Sequence, residues 1–168
     1  MLKAPLLPLR AALALLLLFS LPLQASSLAR DVDLRIETFD EIDRIFKEMR
    51  FKVVHLRSED REGNLAYAEK LVTLAYRLPG LFESYSSGEK FPQSRAHPRI
   101  WSQKDKEGFW ERWRWSGQPS HSEQLNLFID RLEKIHELLE QGDMTGAAAA
   151  IDRTAQSCRQ CHNTFRYR

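Results

Sequence analysis

Residues 125–165 read LNLFIDRLEKIHELLEQGDMTGAAAAIDRTAQSCRQCHNTF, and this stretch decides the fold. Leu125, Phe128, Leu132, Ile135 and Leu139 recur at alternating three- and four-residue steps, which gather on one face of a helix. Gln141-Gly142-Asp143 stops that pattern. From about Thr145 the same spacing resumes through Ile151, Ala155, Cys158, His162 and Phe165. Two amphipathic helices joined by so short a turn pack antiparallel.

Upstream the pattern repeats. From Asp33 a helix is expected on Ile42, Ile45, Phe46, Met49, Val53 and Leu56, with Asp43, Arg44, Lys47, Glu48 and Arg50 on its other face. Glu62-Gly63-Asn64 interrupts it, with Asn64 as the expected N-cap of a second helix on Leu65, Ala68, Leu71, Val72 and Ala75 that Pro79-Gly80 ends. Residues 81–100 read as loop, with Ser86-Ser87-Gly88, Pro92 and Pro98. Ser102 caps a third stretch, and Ser116-Gly117-Gln118-Pro119 cuts across it before Leu125. No window of strict alternation reads as a strand, and no internal repeat of useful period is present. The fold class is all-α, an antiparallel four-helix bundle whose ligand sites are built in its core from facing side chains.

The chain has 168 residues, 43% hydrophobic and 29% charged, which is one domain with a proper core rather than a disordered tail. Residues 1–25 read as a secretory signal peptide: Lys3 and Arg10 lead, Ala11–Leu21 is apolar, Pro22 breaks the run, and Ala25-Ser26-Ser27 offers small residues for cleavage. The alternative is an uncleaved anchor, but a spanning helix needs about 20 apolar residues. The expected mature domain is 26–168, exported and periplasmic. Residues 1–25 hold two cations and no acid, so their removal takes the net charge from +2 to 0. A neutral domain has no electrostatic case for nucleic acid.

The two cysteines of the chain lie in Ser157-Cys158-Arg159-Gln160-Cys161-His162. C-x-x-C-H is the attachment signature of c-type haem. Two thiols three residues apart on a helix share nearly one face, so each can form a thioether to a haem vinyl group, and His162 then offers an imidazole to the iron. Two other readings compete. A thioredoxin-type redox pair belongs in a strand–helix context that this chain lacks. A structural zinc needs four ligands, and there is no second cysteine pair.

With these residues in place the chain resembles the cytochrome c-prime family, the class II c-type cytochromes with their six-coordinate low-spin relatives. The resemblance rests on Gly142-Asp143 leading into Cys158–His162 near the C-terminus, with Phe165-Arg166 following. Leu78-Pro79-Gly80-Leu81-Phe82 and Pro98-Arg99-Ile100-Trp101-Ser102 also match, and the likeness covers residues 33–168. It implies one covalent haem c with its iron, held by Cys158, Cys161 and His162. It also implies nitric oxide or carbon monoxide binding at a five-coordinate iron, electron exchange with periplasmic redox proteins, and a homodimer through helices one and two. Separately, no nucleophile–base pair is placed together by sequence spacing, so nothing in the residues suggests a catalysed reaction.

In the family the residue opposite the haem-ligating histidine comes from helix one. Laying Phe46-Lys47 on the family's pattern puts Phe46 there. Met49, one turn later on the same face, is the alternative, and ligation by it would make a low-spin electron carrier. Arg166 matches the family's arginine beside the iron-bound histidine; it reads equally as a cation complementing the helix dipole. Lys47 and Arg50 are candidate partners of haem carboxylates. His55, His97, His121 and His136 read as surface or capping residues. The departure from the family is an insertion around Trp110, Trp113 and Trp115, read as an extended third helix or as a docking patch. A haem-independent helical interaction module using that patch is the reading from another class.

Overall fold

A computed structural model describes residues 9–102 and 119–167, with residues 9–26 described by their backbone alone. Trp110, Trp113 and Trp115 lie outside the described residues. The helices are α1 (Leu9–Arg50), α2 (Arg61–Ala75), α3 (Arg99–Ser102), α4 (His121–Glu140) and α5 (Met144–Phe165), and the bundle consists of α1, α2, α4 and α5. No helix among the described residues is long and apolar enough to cross a membrane.

Helix α1 begins earlier than the sequence suggests, running unbroken through Pro22. Proline fits helical φ and forfeits one backbone hydrogen bond. Val32, Ile42, Ile45, Phe46 and Met49 are the apolar side chains that α1 buries among the described residues. Past Arg50 the backbone widens into a π-turn over Phe51–His55, where Leu56 N–H reaches the carbonyl of Phe51 at 3.0 Å. The wider turn keeps Val53 inside and swings Phe51 and Leu56 out to more than half exposure, so Leu56 is not the core residue its spacing suggests. Arg57 follows in the left-handed region at φ 50°.

Asp60, not Asn64, caps α2, its carboxylate accepting from Gly63 N at 3.0 Å. Asn64 is buried one turn inside. Arg61 donates to the carbonyls of Leu139 at 3.1 Å and of Glu140, closing the C-terminal end of α4. Helix α4 opens on a capping box made by Ser120 and Glu123. Gly142, at φ +75°, turns the chain between α4 and α5, and Asp143 caps α5 through Gly146 N at 2.8 Å.

Helix α4 packs on both α5 and α2, and α2 packs on α1, while α5, besides its packing on α4, meets the π-turn and touches α1 only sparsely. Ile45, Met49, Leu71, Leu132, Ile135, Leu139 and Ile151 form the dry centre, each worth about 1.5–3 kcal/mol of burial. The chain from residue 83 to 98 is tied down at both sides. Arg35 donates to Ser86 Oγ at 2.9 Å, Ser86 O at 3.0 Å and Ser94 Oγ at 2.7 Å. The end of α5 and the residues after it pair with this segment, His97 N to Phe165 O at 2.9 Å and Tyr167 N to Arg95 O at 2.8 Å.

Candidate functional site

Helices α5 and α1 meet at Arg50–Asp152 but touch only sparsely, and a cavity of about 510 Å³ opens between them. Its α5 wall carries Cys158, Cys161, His162, Phe165 and Arg166, and its α1 wall carries Arg35, Phe39, Ile42, Asp43 and Phe46. Phe82, Ile100, His121 and Phe128 close the far side. Size and lining suit a cofactor-sized ligand, since such pockets run about 300–1,000 Å³ with mostly apolar walls.

The sequence spacing on α5 is realised. Both thiols are free and half-buried, and the helix behind them is made tight by Thr154 and Ser157, whose hydroxyls donate to the carbonyls of Ala150 and Thr154 at 2.8 and 2.7 Å. Burial pushes the Cys158 thiol up, and burial together with Cys158 pushes Cys161 up to about 11. Both are thiols at neutral pH, whereas a reactive redox pair needs a thiolate. Burial, then the charge of Arg166, holds His162 below the usual histidine range. A neutral imidazole is the form that binds a metal. Among the described residues no three His, Cys, Asp or Glu side chains gather as a metal ion alone would require.

The antiparallel register sets which residues face one another. Arg50 Nε meets Asp152 Oδ1 at 2.9 Å, and Val53 and Val54 share a second cavity with Met144, Thr145 and Ala148. Counting from Asp152 to His162 along α5, and back by the same number along α1 from Arg50, arrives at Asp40. Asp43 agrees, since its charge acts on both Cys158 and His162. Phe39 is therefore the cavity-lining ring at the height of His162. Phe46 also lines the cavity, but at 1.5 Å per residue it lies about 10 Å further along, near Gln156. Met49 is wholly buried in the bundle core and is not part of the lining. Sequence spacing could not distinguish Phe39 from Phe46, because both fall on one face of α1.

Arg166 lines the cavity, but it has left the helix: its backbone is extended (φ −121°, ψ 137°) and bridges to Ala96. Lys47 is taken by Asp43 at 2.6 Å and Arg50 by Asp152. His55 lies against Phe51, His97 Nδ1 accepts from Arg99 N at 3.2 Å, and His136 Nδ1 is 3.6 Å from Glu140. These three sit where surface or capping histidines belong. His121 does not: it is 7% exposed, lines the cavity, and packs against Phe82 at 4.4 Å and edge-on against Phe165 at 5.3 Å. Arg35 was equally hidden in the sequence. It is 3% exposed, lies over the Phe82 ring at 4.7 Å, and burial lowers it to about 10, so it keeps its charge at neutral pH.

No family model and no curated protein sequence matches the chain. Solved structures do. A cytochrome c′ is 23% identical, with a TM-score of 0.64 over 82% of this chain and 94% of that one. The nitric oxide complex of a mutant cytochrome c prime from Alcaligenes xylosoxidans is 22% identical, with a TM-score of 0.66 over 83% and 94%. The ferric cytochrome c prime from the same organism is 22% identical, with a TM-score of 0.64 over 82% and 94%. The chain therefore has the cytochrome c′ fold, and the expected four-helix bundle is the observed one.

Proposed function

We propose that this chain, folded as the cytochromes c′ are, is an exported monohaem c-type cytochrome. On this reading it binds nitric oxide or carbon monoxide and exchanges electrons with periplasmic redox proteins. The observation that carries the reading is that Cys158, Cys161 and His162 open together on one cavity whose facing wall, at the height of His162, is the hydrocarbon ring of Phe39.

The donor set fits haem c. Two protonated thiols are placed for thioethers, a neutral imidazole follows, and the rings of Phe39, Phe46, Phe128 and Phe165 line the space. When bound, haem c would supply an iron able to take small diatomic ligands and to exchange electrons. The chain does the rest. Cys158 and Cys161 fix the cofactor, His162 ligates it, and Phe39 blocks large ligands while offering no lone pair of its own. Met49, sealed in the core, is held away from the cavity, which favours an open site over the methionine-ligated alternative. The similar structures solved as nitric oxide complexes lend support by analogy of fold. Residues 1–25 serve in this reading as the export signal, leaving 26–168 as the mature domain, with a homodimer through α1 and α2 as its assembly.

The test is expression of the full chain in a bacterium with a c-type maturation system. Haem should stay with the chain on a denaturing gel and be lost from it in the Cys158→Ala, Cys161→Ala double variant. The reduced spectrum should shift on adding carbon monoxide. A chain without covalent haem overturns the cofactor assignment, and sharp low-spin bands unmoved by carbon monoxide overturn gas binding.

A further inference from the structure

We infer that the arginine-rich rim of this cavity is an interaction surface, and that the partner it fits is a redox protein with a carboxylate-rich docking face. The inference rests on the electron exchange proposed above and names the face through which that exchange runs.

Charge is distributed unevenly along the chain. The expected mature domain has no net charge. Residues 151–168, which carry the attachment motif, nevertheless hold four cations and one acid, whereas residues 119–143 hold six acids and two cations. The fold then gathers cations from separate segments. Arg95 and Arg166 line the cavity, joined by the backbone bridge of Ala96 to Arg166, and Arg95 Nη2 donates to the carbonyl of Tyr167 at 3.3 Å. The charges of both act on His162, while those of Arg159, inside the motif, and Arg131 of α4 act on Cys158. Arg95, Arg159 and Arg166 are exposed, and Arg131 is half-buried.

Acids close to this rim are mostly engaged. Lys47 holds Asp43 at 2.6 Å, Arg50 holds Asp152, and Glu89 accepts from the hydroxyls of Tyr85 and Tyr167 at 3.3 Å each. Asp40 is the remaining acid of the lining. Arg131, Arg159 and Arg166 make no side-chain hydrogen bond or ion pair among the described residues. Residues 103–118 hold four cations and three acids, so they bring no excess of acid to this face. The rim is made of arginine, whose planar fork pairs with a carboxylate through two parallel hydrogen bonds. Exposed pairs of this kind steer a partner in more than they hold it. That suits a protein that must leave after each electron.

The experiment is stopped-flow oxidation of the reduced holoprotein by two small probes of opposite charge. One electron leaves the holoprotein in each case, reducing hexacyanoferrate(III) to hexacyanoferrate(II) or tris(phenanthroline)cobalt(III) to its cobalt(II) form, and no bond or proton is transferred. Between about 10 and 200 mM salt the rate with the anionic probe should fall roughly tenfold, and the rate with the cationic probe should rise. Arg131 and Arg159 lie outside the cavity lining. The Arg131→Gln, Arg159→Gln double variant should therefore keep the wild-type spectrum and retain a fall of only about threefold. Arg57→Gln removes one charge beside the second cavity and should keep the wild-type salt dependence, while Arg159→Gln alone weakens it. Poly-L-glutamate, standing in for the partner's carboxylates, should slow the anionic probe at low salt with the wild type and not with the double variant. A rate with hexacyanoferrate(III) that does not fall with salt, or equal losses in Arg57→Gln and Arg159→Gln, overturns the inference. Binding to phosphatidylglycerol vesicles without any effect of poly-L-glutamate also overturns it, assigning the face to a lipid surface. A chain that carries no haem fails the function proposed above instead, and the two failures are thus distinct.

Discussion

Arg50 and Asp152 meet at 2.9 Å across the boundary between α1 and α5, and that contact marks the register on which the cavity depends. It reports the register more than it enforces it. Both side chains are about two-fifths exposed, and exposed pairs contribute about 0–1 kcal/mol. Arg50→Ala should therefore cost less than about 1 kcal/mol in urea unfolding, with the haem spectrum unchanged. A larger loss would mean that packing alone does not hold α5 against α1.

Arg35 should behave in the opposite way. Its three short hydrogen bonds, to Ser86 Oγ, Ser86 O and Ser94 Oγ, are almost wholly buried. Arg35→Ala strands those acceptors and removes the cation over Phe82, at a cost of about 2–4 kcal/mol. Arg35→Lys should recover only part of it, because one ammonium cannot reproduce the planar fork. Denaturant midpoints of the two variants check the order.

Two backbone positions give predictions of opposite sign. Gly142 sits at φ +75° with nothing within 4 Å of a Cβ built there, so Gly142→Ala meets strain without collision. It should cost about 1 kcal/mol. Arg57, a non-glycine at φ 50°, should gain up to about 1 kcal/mol on replacement by glycine, less the extra freedom glycine has when unfolded. Thermal unfolding of both variants reads the signs.

These positions also show how much was legible in the sequence. The stripes on α4 and α5 could be read residue by residue, because a period of three and four is local and the core took Leu125, Leu132, Ile135, Leu139 and Ile151 as expected. The shared face of Cys158, Cys161 and His162 was legible for the same reason: its geometry lies within one helix. What one helix offers another was not. Phe39, Ile42 and Phe46 share a face of α1, and only the pairing with α5 ranks them. Arg35 and His121 look like surface residues in a sequence, since burial of a polar side chain depends on partners far along the chain, here Ser86, Ser94, Phe82 and Phe165. The π-turn at Phe51–His55 carries no glycine or proline to announce it.

Acid should destabilise the fold in a window set by His121. Its folded value is depressed to about 4 from 6.5, so the unfolded chain binds more protons between those values. Stability is then full above about pH 6.5 and falls as pH drops toward 4, by roughly 3 kcal/mol in total. Urea midpoints at pH 7 and pH 4.5 for wild type and His121→Phe separate this from the carboxylates. The variant should show a smaller loss, and equal losses would remove His121 from the account.

The register argument makes its sharpest prediction through a pair of methionine substitutions. On the haem reading proposed above, a thioether facing His162 would offer the iron a protein ligand and turn a high-spin spectrum into a low-spin one. Phe39 lies at the height of His162, while Phe46 lies about 10 Å further along α1, a distance no side chain bridges by changing rotamer. Phe39→Met should therefore give sharp low-spin bands and weaken carbon monoxide binding at least tenfold, whereas Phe46→Met should leave the spectrum and the affinity near wild type. Both substitutions keep the side chain apolar and of similar volume, so each should cost less than about 1.5 kcal/mol of stability, and a spectral difference between them is one of position. Low-spin bands in Phe46→Met with none in Phe39→Met would shift α1 by two turns relative to α5. The Arg50–Asp152 contact would then be the wrong guide to which residue faces His162.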